Sequence, residues 1–163
     1  MVKYSWFKDK VPEYLNIKQV YGIAFSDDGN IVLRIDDNKY KLTGGKPCDS
    51  DKSLEDTLKR EYLEELNIEI EDIYYLGYLL VEGAAKEKYA QVRMLAKIKN
   101  IGEVKPDIDN GKTYKRFMAN IKNVKQYLNY PDLAGNLMID DAIKLAKEKY
   151  NINFSDTNNE YFV

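Results

Sequence analysis

The sequence has no histidine, one cysteine (Cys48), one tryptophan and four prolines in 163 residues. Without histidine it lacks the commonest general base and the commonest metal ligand. A single cysteine excludes an internal disulfide and any zinc cluster built on cysteine, and it fits a reduced, cytoplasmic setting. Any metal held here must therefore meet oxygen ligands. Basic excess is missing too: 25 Lys plus Arg stand against 27 Asp plus Glu, a net charge of -2. That balance argues against nucleic acid as a partner, although Lys112, Lys115 and Arg116 form a small basic cluster. No apolar run approaches the roughly 20 residues of a membrane span, and the opening MVKYSWFKDK is too charged for the core of a signal peptide. With no repeat, low-complexity block or Pro/Gly/Ser-rich linker, residues 1–163 are expected to form one soluble domain, with 151–163 a loose tail.

What is present, 44% hydrophobic and 32% charged residues, is patterned for a mixed α/β fold. Residues 18–25 (KQVYGIAF) form a short apolar run, followed by the turn cluster Asp27, Asp28, Gly29 and Asn30. A second strand is expected at 31–36, where Ile31, Leu33 and Ile35 alternate with Val32, Arg34 and Asp36. Asp37 and Asn38 offer another turn, and a short strand at 39–43 ends at Gly44 and Gly45. The stretch from Ser53 to Leu66 reads as a helix with a capping box from Ser53 to Asp56, an apolar stripe of Leu54, Leu58, Tyr62 and Leu66, and Asn67 as a left-handed stop. Strands are expected at 68–82, 89–98 and 113–119, a helical turn or two at 121–128, and a closing helix at 136–149. A helix set between strand groups, plus a closing helix, implies a mixed sheet covered on its faces.

The chemistry concentrates in Lys59-Arg60-Glu61-Tyr62-Leu63-Glu64-Glu65-Leu66-Asn67-Ile68. On a helix, Glu61, Glu64 and Glu65 fall at i, i+3 and i+4 and share one sector of the surface. Each like-charge pair there costs a few tenths of a kcal/mol, and Arg60 is placed to offset only Glu64 well. A hard divalent cation such as Mg²⁺ or Mn²⁺ would supply the missing countercharge and leave coordination positions open for water and phosphate. A solvated acidic face is the alternative reading of the same residues.

These residues resemble the Nudix hydrolase box, GX5EX7REUXEEXGU with U aliphatic, matching its second half at Arg60, Glu61, Glu64, Glu65 and Ile68, with Gly45 as the opening glycine. The spacing departs by one: Gly45 lies 15 residues before Arg60 rather than 14. The extra residue falls by this reading within Lys46–Asp51, and Lys52 then takes the position of the first glutamate, with Asp51 adjacent as a stand-in. The resemblance implies an α/β/α sandwich with a mixed β-sheet and a hydrolase that cuts phosphoric anhydrides in nucleotides by water attack on phosphorus. It implies metal ligation by Glu61, Glu64, Glu65 and the Gly45 carbonyl. Arg60 would orient the glutamates, and Glu61 is the first choice of general base, with Glu82, Glu87 and Glu103 as outside candidates.

The substrate class implied is a small-molecule nucleotide: a nucleoside triphosphate or diphosphate derivative, with ADP-ribose or a nucleotide sugar as the alternative. A non-catalytic nucleotide sensor on the same scaffold, motivated by Lys52, is the reading from another class. Arg34, Gln91 and Arg93, on the more polar faces of their strands, are the candidate substrate contacts. Among the 14 tyrosines, Tyr21, Tyr40, Tyr75 and Tyr78 suit either base stacking or packing. Many relatives pair as homodimers, and a dimer is an expectation here as well.

Overall fold

The computed structural model describes every residue except Asp156. Among the described residues the chain forms nine strands and three helices: β1 (Lys3–Phe7), β2 (Ile17–Phe25), β3 (Ile31–Asp36), β4 (Lys39–Lys41), β5 (Thr43–Gly45), α1 (Leu54–Leu66), β6 (Ile68–Glu82), β7 (Lys88–Ile101), β8 (Lys115–Ala119), α2 (Val124–Leu128), α3 (Leu133–Lys149) and β9 (Tyr161–Phe162). The main sheet runs β1-β6-β7-β2-β3-β8-β9, with β2 and β7 parallel and the other neighbours antiparallel. Both faces are covered, which is why the central strands are apolar on both sides rather than alternating apolar with polar. Val20, Ala24, Val32, Val92 and Met94 pack with Leu58, Tyr62 and Leu66 of α1 on one face. Ile23, Phe25, Ile31, Leu33 and Leu95 pack with Met138, Ile139, Ala142 and Ala146 of α3 on the other. The expected α/β/α sandwich is thus the observed one.

The sheet splits in its middle. Strands β2 and β3 pair only at Phe25↔Ile31 and then part. Asp37 and Asn38, both at positive φ (48° and 61°), turn the chain back so that β4 pairs with β3. Past Leu42, the chain crosses the gap and β5 pairs with β2. The single strand expected at 39–43 is therefore two short ones, each serving a different arm of the split.

Two ends differ from expectation. Residues 3–7, whose alternation was hidden among lysines, form an edge strand on β6, and Trp6 donates its indole N–H to Asp141 on α3 at 2.8 Å. The segment 151–163, expected to be a loose tail, is tied down in its described part. Phe154 packs edge-on to Phe25 at 5.7 Å, Asn30 donates to the Asn159 carbonyl at 2.8 Å, and Glu160 accepts from Asn120 N–H at 3.0 Å and from the Tyr127 hydroxyl at 2.7 Å. These are long-range pairings that no local period announces; Asp156 within that segment lies outside the described residues.

Candidate active site

Helix α1 starts where Ser53 accepts from the Asp56 N–H at 3.1 Å, while Asp56 takes the N–H of Lys52 rather than that of Ser53. It ends at Asn67 in the left-handed conformation, φ 51°, whose N–H returns to Leu63 and Tyr62. Leu58 and Tyr62 are fully buried and Leu66 nearly so. Burial of three such side chains contributes several kcal/mol, against roughly 0.3 kcal/mol for each like-charge pair on the far side, so apolar packing fixes the helix and the carboxylates must follow. Gly22 makes that packing possible, since a Cβ there would stand 2.8 Å from Tyr62 Cε2.

Gly45 and Glu61 are brought together, and Glu64 shares the Arg60 guanidinium with Glu61. The Glu61 carboxylate lies so close over Gly45 that any Cβ there would overlap Oε1. Arg60 spends every N–H it has on nearby acceptors. Nε and Nη2 reach the two oxygens of Asp51 at 3.0 and 2.9 Å, Nη1 reaches Glu61 at 3.0 Å and Glu64 at 3.2 Å, and Nη2 also reaches the Lys46 carbonyl at 3.0 Å. Arg60 is accordingly an orienting group with no donor left over. Asp51 receives in addition the Cys48 N–H and the Thr57 hydroxyl, and together these donors, Arg60 first, hold its carboxyl well below the usual carboxylate range.

That arrangement corrects the reading of the loop. Asp51, not Lys52, is the loop carboxylate, and it stands six residues after Gly45, the spacing the box calls for. The extra residue thus falls after Asp51, at the entry to α1, and Lys52 is exposed.

Glu65 lies deepest of the three glutamates, 8% exposed, with Arg34 Nη1 3.0 Å from its Oε2. The approach is off-axis: Glu65 Oε2 and Arg34 Nε are both buried without an aligned hydrogen-bond partner. Burial outweighs Arg34 and, with Glu61 and Asp107 adding repulsion, pushes the Glu65 carboxyl up to about 8. Burial raises Glu61 and Glu64 as well.

Two further carboxylates face the helix from the loop between β7 and β8. Asp107 is 5% exposed, and ligand oxygens of Glu64, Asp107 and Asp109 lie within 4.8 Å of one another. The loop is held by Gly111 at φ +72° and by bonds from the Asp107 N–H to the Lys112 carbonyl and from the Asp109 N–H to Asp107 Oδ1, each 2.8 Å. The signal for this pair, Asp-Ile-Asp-Asn-Gly in a loop, was present in the sequence. Glu82, Glu87 and Glu103 are not at the site. Glu82 pairs with Lys3 and Lys88, Glu87 sits at the β6–β7 turn beside Gly83, and Glu103 offers only its carbonyl, to Asn67. Counting Asp51, six carboxyl groups share this corner with two guanidiniums, so the acidic groups outnumber the cations by four. An oxygen-only donor set with that excess and a buried, unpartnered Glu65 oxygen fits a hard divalent cation.

On the other face a cavity of about 900 Å³ opens beside Tyr21, Tyr40, Tyr127 and Tyr130, and Arg34, Gln91 and Arg93 all line it. Arg34 belongs to both places: it reaches Glu65 and lies over the Tyr114 ring at 4.7 Å on the α1 face, and it lines the cavity through the split in the sheet. Tyr75 and Tyr78 take no part, since Tyr75 binds the Asp9 carbonyl and Tyr78 stacks on Phe7. The expected basic cluster does not form: Arg116 is 4% exposed and donates to the carbonyls of Leu66, Gly102 and Val163, stapling the end of α1.

Crowded carboxylates on and beside a helix thus stand opposed to an aromatic cavity across a mixed α/β/α sandwich. No family model and no curated protein matches the sequence. Solved structures do. A Bacillus subtilis pyrophosphohydrolase (BsRppH) superposes with a TM-score of 0.68 at 19% identity, covering 92% of this chain and 93% of that one. The NUDIX domain of Shewanella oneidensis NrtR, complexed with ADP ribose, gives 0.60 at 17% identity over 80% and 88%. A MutT structure, from work on the Aliivibrio salmonicida and Vibrio cholerae proteins, gives 0.57 at 18% over 78% and 96%. The chain has the Nudix hydrolase fold.

Proposed function

We propose that this protein is a Nudix hydrolase, a divalent-metal-dependent nucleotide pyrophosphohydrolase acting on a nucleoside triphosphate or diphosphate derivative. The observation that carries the reading is the crowding of carboxylates at one corner, with Glu61 over Gly45, Glu64 beside Asp107 and Asp109, and Glu65 buried next to Arg34, against too few cations to neutralise them. Glu61, Glu64, Glu65 and the Gly45 carbonyl would hold Mg²⁺, or Mn²⁺ in its place, with Asp107 and Asp109 adding oxygens beside Glu64. Such an ion neutralises charge on the phosphates and makes the attacking water more acidic.

The chain's own residues do the rest. Arg60, with all donors engaged, keeps Glu61 and Glu64 in position. Arg34 stands between Glu65 and the cavity, where phosphate oxygens of a substrate would meet it. In the absence of histidine the proton of the attacking water passes to a carboxylate, and Glu61 is our assignment. Water oxygen bonds to phosphorus, the bridging P–O bond breaks, and two phosphate-bearing products leave with one proton released. Gln91 and Arg93 contact the substrate from the cavity wall. ADP-ribose is the alternative substrate, since two of the structural neighbours carry ADP compounds in their descriptions. The sensor reading loses its motive, because Asp51 fills the place that Lys52 left in doubt. We also read residues 1–163 as one domain, working in the cytoplasm as a monomer or a homodimer.

The test is release of phosphate or pyrophosphate from a nucleotide panel with Mg²⁺ and with chelator. Turnover that stops with chelator and falls at least 100-fold in Glu65→Gln is expected. Activity of Glu65→Gln within twofold of the parent, or tight magnesium-dependent binding without turnover, would overturn the assignment.

A further inference from the structure

Among the described residues, five buried side-chain polar atoms have no hydrogen-bond partner: Asn30 Oδ1, Arg34 Nε, Thr43 Oγ1, Tyr62 Oη and Glu65 Oε2. Four of the five lie on one face of the sheet, at the split between β2 and β3. Gly22 places Tyr62, because a Cβ there would stand 2.9 Å from the Tyr62 hydroxyl oxygen. Thr43 is the register partner of Gly22, and directly opposed residues of an antiparallel pair point to the same side, so its hydroxyl also lies on the α1 face. Arg34 stands two residues after Val32, which packs with α1, and its Nη1 lies 3.0 Å from Glu65 Oε2 on that face. Glu65 and Arg34 are the charged groups that act on the Tyr62 hydroxyl. Tyr62 is 0%, Thr43 2% and Glu65 8% exposed.

A buried polar atom without a partner has lost its bond to solvent and gained nothing in return, so four in one place call for something they share. The Nudix box has an aliphatic side chain where this chain has Tyr62, and the buried hydroxyl is therefore an addition of this chain. The charges narrow what can join the four. Arg34 repels a cation there and Glu65 an anion, so the partner is neutral. It must also both give and take. Burial pushes the Tyr62 hydroxyl far above its ordinary value, so it keeps its proton; with Thr43 and Arg34 Nε it makes three donors, while Glu65, ionised as a metal ligand is, only accepts. Direct closure of Tyr62 on Glu65 would leave Thr43 and Arg34 Nε as they are. One water serves all four: it accepts from Arg34 Nε and from one hydroxyl, and it donates to Glu65 Oε2 and to the oxygen of the other hydroxyl.

We infer that Tyr62 and Thr43 are positioning residues for Glu65, acting through one ordered water enclosed between them and Arg34 beneath α1. With Oε2 held by that water, Glu65 turns in one fixed rotamer and has Oε1 to give to a cation. The positioning role rests on the proposed metal-dependent reading; the water does not.

The experiment deletes each hydroxyl at nearly constant shape, in Tyr62→Phe and Thr43→Val. Each variant leaves the water short of a partner, and the folding equilibrium constant from urea unfolding should fall about fivefold to tenfold. The double variant should lose less than the product of the two singles, because both act on the same molecule. Hydroxyls that serve nothing would give the opposite sign, so variants as stable as the parent or more stable overturn the water. A crystal structure of the parent, at a resolution that shows buried waters, should have a density peak within about 3.2 Å of at least two of the four atoms. Absence of that peak overturns the inference even if neither variant folds. Mn²⁺ binding followed by electron paramagnetic resonance tests the positioning role. Affinity should drop about threefold or more in each variant, and kcat with it, while KM for the nucleotide stays that of the parent. Unchanged Mn²⁺ affinity in both variants overturns the positioning. A parent that binds no Mn²⁺ removes the metal reading and the positioning role together, and the unfolding curves and the density still decide the water.

Discussion

Raising the pH of the metal-free protein from 5 to 8 should weaken it, the reverse of what a chain rich in well-paired carboxylates does. Glu65 has its carboxyl at about 8 in the folded state against an ordinary 4.5. Across this window the folded protein holds a proton that the unfolded chain has released, so the slope of unfolding free energy with pH is negative. Three pH units at about 1.4 kcal/mol each give about 4 kcal/mol, and Glu61 and Glu64, raised by the same burial, act in the same sense. At roughly 2–4 °C per kcal/mol for a chain of this size, the melting temperature should fall by on the order of 10 °C. The window is clean because the sequence has no histidine to titrate in it, and Asp51, whose carboxyl is held low, gives up its contribution only below about pH 4. The assay is a thermal melt in chelator at pH 5, 6, 7 and 8, repeated with Mg²⁺. Saturating ion at pH 8 should restore roughly 3 kcal/mol at a hundredfold excess over Kd. Glu65→Gln should flatten the slope and melt above the parent at pH 8. A melting temperature that holds level or rises from pH 5 to 8 in chelator would refute the crowding of carboxylates on which the metal argument stands.

Two further outcomes are expected. Gly45→Ala should force the Glu61 carboxylate aside and lower kcat at least tenfold while the circular dichroism spectrum stays that of the parent. Asp51→Ala should leave the Arg60 guanidinium short of its main partner and cost about 3 kcal/mol in urea unfolding with a matching loss of activity, whereas Lys52→Ala should leave both within error.

The order of elements was readable because their periods are local. Leu58, Tyr62 and Leu66 repeat every four residues, and the Ser53 and Asn67 caps bracket them. Likewise, Glu61, Glu64 and Glu65 share a face by helical geometry alone, whatever the rest of the chain does. What escaped was set by contacts distant in sequence. Nothing near Asp107 and Asp109 says that their loop folds back on Glu64, 43 residues earlier for Asp107. Arg93 looked like one more polar residue on a strand face, and only its packing on Met138 of α3 reveals it as buried. Arg116 counts with Lys112 and Lys115 as a basic cluster in the sequence because a side chain that serves three backbone carbonyls leaves no mark in the residues around it. The loop carboxylate was misplaced by one because a motif count cannot tell on which side of Asp51 the added residue lies; the Arg60 fork settles it.

A sheet usually insulates what lies above it from what lies below. Here the parting of β2 from β3 after a single pairing leaves a window, and Arg34 stands in the frame with one end of its guanidinium toward Glu65 and another toward the tyrosine-lined chamber. An occupant that drew Arg34 toward the chamber would take from Glu65 the cation 3.0 Å away, and an ion seated on Glu65 would free Arg34 for the chamber. Filling one room would by this geometry bear on the other through a single side chain.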